Sequence, residues 1–213
     1  LTVQVTNDAV QGNTDATATS KLTVIVKGNP ECTSTDFQTY QAQTNSLPGT
    51  FDDGRVSVGP YDSLELVEVD PGRHVEIHIR YINTVVVVRQ IGRYFTFSIR
   101  MPEELVNDSS SNQDLQLCVR GCPQSEIINY QEYLALRKYV PSAQDVSNVQ
   151  TGTEPAPAVT RSHAEKVCRD AKLTDFYFDS CVFDLMATGN QNFTLSAISS
   201  LMDVLKLHPS AAR

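Results

Sequence analysis

Apolar and polar side chains alternate most regularly over residues 73–100, and the pattern predicts three consecutive β-strands. Val75, Ile77 and Ile79 interleave with Glu76, His78 and Arg80, so one face is aliphatic and the other charged. Ile82 and Asn83 suit a tight turn. Residues 84–89 then form a β-branched run, too short for a helix and too uniform for an exposed face, as a central buried strand requires. Gly92 supplies a second turn, after which Phe95, Phe97 and Ile99 alternate with Tyr94, Thr96 and Ser98 until Pro102 removes a ladder donor. Connections this short make the three strands an antiparallel meander, because a parallel return needs a crossover of about a dozen residues.

The flanking sequence extends the β pattern. Residues 1–6 alternate as a strand, and residues 7–15 (NDAVQGNTD) are rich in turn formers and are expected to break it as an exposed connection. Residues 16–27 resume the alternation, which predicts a hairpin with a long tip. Residues 37–43 suit an edge strand, Leu64, Leu66, Val67 and Val69 another strand, and Asp70, Pro71 and Gly72 a turn. Phe51, Asp52, Asp53 and Gly54 lack the further oxygen ligands of a calcium loop and read as a turn.

Beyond the meander, residues 106–113 read as a polar loop, 115–119 as a last strand and 126–139 as a short helix. Residues 141–160 have little to bury and read as a linker or long loop. Three helices follow. Ser162 and Glu165 form a capping-box pair ahead of Ala164, Val167, Cys168 and Ala171. Residues 174–188 carry Phe178, Cys181, Val182 and Leu185 at helical spacing, with Gly189 as the stop. The last helix is expected to follow a Thr194 cap, present Leu195, Ile198, Leu201 and Leu205 as its apolar stripe, and end at Pro209. The chain thus divides into a mainly β region (1–123), a variable region and linker (124–160) and a helical segment packed on the β region (161–208).

A chain of 213 residues with 40% hydrophobic content can bury a substantial core. Its net charge of -8 argues against nucleic acid and anionic lipid as partners. The apolar runs fall far short of the roughly 20 residues that span a bilayer. The first residues lack the basic region and cleavage site of a signal peptide.

No catalytic constellation is present in the sequence. His74, His78, His163 and His208 lie near no nucleophile elbow, and there is no phosphate-binding glycine loop, so no enzymatic activity, catalytic residue or cofactor is assigned. His74, Glu76 and His78 share a strand face that could hold a metal, but a solvated face of an open sheet is the preferred reading. Cys118 and Cys122 stand in a Cys-x3-Cys pair that no second ligand pair answers, so no metal is assigned. Disulfides fit Cys32, Cys118, Cys122, Cys168 and Cys181 better, given the glycosylation sequons at Asn107 and Asn192. Five is an odd number, and in an oxidising compartment at least one needs a partner outside the chain.

Three stretches carry a resemblance. They are YFTFSIRMPEE at 94–104, DLQLCVRGCP at 114–123 and SCVFDLMATGNQNFT at 180–194. With VQVTN at 3–7, ATAT at 16–19, Glu31 and Cys32, HVEI at 74–77, and Asp203 and Val204, they run in family order along nearly the whole chain. The sequence resembles the C-terminal part of the repulsive guidance molecules, the family that includes hemojuvelin. The resemblance implies an antiparallel β-sandwich of the von Willebrand factor type D kind with C-terminal α-helices. It also implies a cell-surface glycoprotein that binds neogenin through this part and bone morphogenetic proteins mainly through a preceding N-terminal domain, with roles in BMP signalling and axon guidance.

The family precursor cleaves itself at Gly-Asp-Pro-His, its halves stay disulfide-linked, and a C-terminal signal directs a GPI anchor. Neither that cleavage sequence nor the anchor signal lies in this chain, and Asp70 and Pro71 lack the flanking glycine and histidine. The upstream half is therefore expected to supply the missing cysteine partners. The candidate receptor contacts are Asn7, Asp8, Val10, Gln11, Gly12 and Asn13, in a stretch that departs from the proline-containing form expected of vertebrate members. The rival reading is a structural or matrix D-type domain that polymerises through cysteines, for which five cysteines leave little.

Overall fold

The structure, a computed structural model, describes residues 1–10, 13–28, 37–106 and 159–207. Among them, eight strands form two antiparallel sheets. The first has the order β1 (Thr2–Val10), β2 (Asn13–Lys27), β3 (Phe37–Gln43). The second runs β4 (Ser57–Val58), β5 (Leu64–Asp70), β6 (His74–Ile79), β7 (Thr84–Ile91), β8 (Tyr94–Arg100). The three-stranded meander expected from the alternation is β6, β7 and β8. Its turns fall at Asn83 (φ 45°) and Gly92 (φ 61°), residue types that tolerate the left-handed conformation.

The period of two decides which side chains become core. Leu22, Val24 and Val26 of β2 and Tyr40 and Ala42 of β3 share one buried cluster with Leu64, Leu66, Val75, Ile77, Ile79, Val86 and Val88 of the second sheet, so the two sheets pack as a sandwich. Tyr40 can be fully buried because its hydroxyl donates to the Pro48 carbonyl at 3.0 Å. Burial, with Glu68 and Asp52 nearby, pushes its phenol pKa upward.

Strand β7 explains its own composition. Val86 and Val88 point into the sandwich, whereas Val87 faces the opposite side and is equally buried. A strand covered on both faces has no use for polar alternation. Three helices follow, α1 (Arg161–Asp170), α2 (Asp175–Thr188) and α3 (Asn192–Leu207), and it is α3 that lies against β7 and β8 on the far face. The helices have their own core of Ala164, Cys168, Leu173, Cys181, Val182, Leu185 and Ala197. Cys168 and Cys181 are joined by a buried disulfide that ties α1 to α2. Closing a loop of that size contributes about 3 kcal/mol in the chain-entropy account.

Several boundaries differ from the sequence expectation. Strand β1 continues through Asn7 and Asp8 to Val10 and β2 already begins at Asn13, so the stretch 7–15 is mostly ladder. Irregularities in register after Thr6 and after Ala9 absorb the turn-forming residues, and Thr19 Oγ1 donates across the strands to Asn7 Oδ1 at 3.0 Å. Helix α1 is capped by Thr160, whose side chain accepts from the His163 N–H, and not by a Ser162–Glu165 box; Glu165 pairs with Arg161.

The start of α3 lies three residues earlier than expected, at Asn192 instead of after a Thr194 cap. Asn190 Oδ1 accepts the Asn192 N–H at 2.9 Å, and Thr194 sits inside the helix, buried, with its hydroxyl 3.7 Å from the Cys181 sulfur. Of the expected α3 stripe, Ile198 and Leu201 pack against the helical core and Leu205 is half-buried. Leu195 is exposed, while Thr194, Ala197 and Asp203 are the buried positions. The loop, strand, helix and linker expected over 107–158, the sequon at Asn107, the residues Cys32, Cys118, Cys122, Gln11, Gly12 and His208, and the stop at Pro209 lie outside the described residues.

Candidate functional site

Two surfaces qualify as candidate sites, and the first is the β1–β2 hairpin. Strand β1 is the edge of its sheet, and Thr2 through Ala9 are exposed except for the half-buried Val3. Asn7 and Asp8 are therefore available to a partner. Val10 is not: it is buried to 2% exposure, so this candidate contact is a core residue that holds the hairpin down. Asn13 pairs with Val10 at the start of β2. Beside the hairpin lies a cleft of about 340 Å³ lined by Asp8, Ala9, Ser20, Thr44, Arg93 and Tyr94. Ser20 Oγ donates to the Thr6 carbonyl at 3.3 Å, and Thr44 Oγ1 lies 3.2 Å from the Ser20 and Arg93 carbonyls, so the cleft walls are cross-braced.

The second surface is the outer face of the five-stranded sheet, where His74, Glu76 and His78 stand. It is not open to solvent as expected from the strand pattern. His74 and Glu76 are buried, because α3 lies over them and answers their charges. Glu76 Oε1 accepts from Lys206 Nζ at 2.5 Å; its two oxygens also lie 3.2 Å from His74 Nε2 and His78 Nε2. On the adjacent strand Arg89 donates to both oxygens of Asp203, from Nε at 3.0 and 3.1 Å and from Nη2 at 2.5 Å. Asp203 is 3% exposed. The face is an interior held by charge.

These contacts set the protonation states. Burial opposes ionisation of Glu76, but the Lys206 hydrogen bond and charge, with His74 and His78, outweigh it and hold the carboxyl below its ordinary pKa. Burial, with the Arg89 and Lys206 charges, lowers the His74 pKa against the pull of Glu76 and Asp203. His74 Nε2 is near Glu76 but not aligned with it. Among the described residues it is the buried side-chain nitrogen or oxygen without a hydrogen-bond partner.

Sequence reasoning grouped His74, Glu76 and His78 correctly and missed Arg89, Asp203 and Lys206. One signal was available: Asp203 interrupts an apolar run in LMDVL, and a charge placed there asks for a buried partner. No group of three histidine, cysteine or acidic side chains able to hold a metal occurs among the described residues. No helix among them is long and apolar enough to cross a membrane.

Comparison with known proteins decides the family. The repulsive guidance molecule (RGM) C-terminal domain family matches residues 1–209. The chain belongs to the RGM family. It is 47% identical over its full length to mouse repulsive guidance molecule B, of which the match covers 48%. It is 43% identical to chicken repulsive guidance molecule A and 35% identical to human hemojuvelin, each over 98% of the chain and 49% and 45% of those proteins. This RGM chain therefore spans about half the length of the curated relatives it matches. The residues of the buried charge cluster and of the hairpin all fall within the matched span.

His74 and Asp184 make opposite demands on pH. His74 binds its proton more weakly folded than unfolded, so below its unfolded pKa of about 6.5 the unfolded chain takes up more protons and stability falls. Asp184 acts in the reverse sense, because burial pushes its carboxyl up to about 6 and acidification there favours the folded form. His74→Gln isolates the first effect. Between about pH 7.5 and 5.5 the wild type should lose more unfolding free energy than the variant. Urea titrations at both pH values check this, and parallel losses in the two proteins would refute the assignment.

Proposed function

We propose that this chain is the neogenin-binding C-terminal part of a cell-surface RGM signalling protein. The observation that carries the reading is the match of residues 1–209 to the RGM C-terminal domain family. The exposed edge of β1, with Asn7 and Asp8 outward beside the 340 Å³ cleft, offers a receptor a firm surface on a rigid sheet. On this reading the sandwich is von Willebrand factor type D-like. Bone morphogenetic proteins bind mainly through the preceding half, which stays disulfide-linked to this one and pairs with cysteines among Cys32, Cys118 and Cys122. Anchoring is by GPI, and signalling through BMP pathways and axon guidance are the outputs.

Surface plasmon resonance on immobilised neogenin ectodomain tests the reading. The oxidised chain should bind with a Kd near or below 1 μM, and Asp8→Arg should weaken binding about tenfold. A chain with the native Cys168–Cys181 disulfide that shows no binding would overturn it.

We also propose glycans at Asn192 and Asn107. Asn192 is half-buried at the mouth of α3, and its side-chain amide lies close against Gly92 in the β7–β8 turn. A glycan there would emerge beside the turn, with Thr194 completing the sequon while its folded role is to pack on the disulfide sulfur. Peptide mapping after glycosidase release in heavy-oxygen water should mark Asn192 in protein secreted from animal cells. An unmarked Asn192 contradicts the assignment.

A further inference from the structure

The outer sheet face is only partly covered by α3. Beyond Lys206 it opens into a groove of about 300 Å³ lined by His78, Ile79, Arg80, Asn83, Thr84, Val85 and Arg100. The register explains the assembly, since His78, Val85 and Arg100 are cross-strand neighbours on β6, β7 and β8. No lining residue is acidic, in a chain with 25 acidic and 17 basic residues. Arg80 gives its Nη2 to Glu65 and its Nε to the Asp62 carbonyl, which leaves further N–H donors on the fork. Arg100 is met only by the neutral amide of Asn83, at 3.0 Å, and by no carboxylate among the described residues.

The groove has an aromatic neighbour. Asp62, held by Arg80, belongs to a turn in which Tyr61 (φ 55°) and Asp62 (φ 51°) are both left-handed. Two successive non-glycine residues in that region carry conformational strain. The turn is braced by the Ser63 N–H on the Pro60 carbonyl at 3.1 Å and by Ser63 Oγ on the Val58 carbonyl at 3.2 Å. It presents the Tyr61 ring at 97% exposure. Two arginines line the concave, partly apolar floor, and the turn that Arg80 holds carries an exposed tyrosine; arginine and tyrosine are the residue types of interface anchors.

We propose that the groove is a docking site for an acidic segment of a partner protein, a carboxylate seating on Arg100 and Arg80 and an apolar side chain meeting Tyr61. Charge complementarity is local. A polysulfated glycan would meet the field of a chain of net charge -8 along its length, whereas a short acidic peptide meets only the groove. Guanidinium forks favour planar carboxylates that they can bind through two donors. The site is separate from the β1–β2 hairpin, so it stands or falls independently of the neogenin reading.

The test uses the whole chain, 15N-labelled, and the blocked peptide Glu-Glu-Phe-Glu-Glu, with Gln-Gln-Phe-Gln-Gln as control. The acidic peptide should shift the Arg80, Asn83 and Arg100 resonances saturably, and the control should not. Arg100→Gln should weaken binding about tenfold and Tyr61→Ala by less, while Arg55→Gln, whose wild-type arginine pairs with Asp53 elsewhere, should leave it unchanged. Shifts centred outside the groove, or affinity indifferent to Arg100→Gln, would overturn the proposal. So would tighter binding of a heparin hexasaccharide at the same residues, which would make the occupant a glycan.

Discussion

The interaction on which the rest of the structure depends is the pair of ionic contacts between the last helix and the second sheet. Arg89 and Glu76 stand on adjacent strands, Arg89 opposite His74 and Glu76 opposite Val87, and Asp203 and Lys206 reach down from a single turn of α3. A buried carboxylate such as Asp203 costs several kcal/mol to desolvate unless it is paired and hydrogen-bonded, so the charges specify one docked position more than they add stability. An apolar helix could slide on an apolar sheet. Four charges in opposed pairs fix the register of α3, and through the α2–α3 packing and the Cys168–Cys181 disulfide they fix the other helices as well.

That arrangement also explains which parts of the fold were legible in the sequence. Strands announce themselves by period, and the alternation of Val75, Ile77 and Ile79 with His74, Glu76 and His78 gave β6 its two faces correctly. It said nothing about what lay on the charged side. Glu76 looks the same in sequence whether it meets water or Lys206, because the partner is 130 positions away and only the tertiary fold brings it near. The same limit applies to α3. Leu195, Ile198, Leu201 and Leu205 are spaced as a helical stripe, and Ile198 and Leu201 do pack against the helical core, yet Leu195 faces out while the charged Asp203, paired with Arg89, is buried.

The β1–β2 hairpin forms as expected, but its long tip does not, for a different reason. Asn7, Asp8 and Asn13 are turn formers by residue type, and local propensity favours a loop. Cross-strand hydrogen bonding, here Thr19 to Asn7, and burial of Val10 override it, and the register irregularities are the mark of that compromise. For function the consequence is favourable. Residues expected on a loose connection stand on a braced strand edge, where a partner would lose less conformational entropy in binding them. The RGM family match covers both this edge and the charge cluster, so one frame positions the candidate receptor surface and the docked helices.

The claim that the polar face of the sheet is an interior locked by the last helix is tested most directly by a double-mutant cycle on Arg89→Ala and Asp203→Ala, read by chemical denaturation. If the two side chains meet in a buried, bidentate pair, each single change leaves a stranded charge, and the coupling energy should be about 2 kcal/mol or more. Additive effects, with a coupling energy near zero, would mean that α3 does not sit on that face.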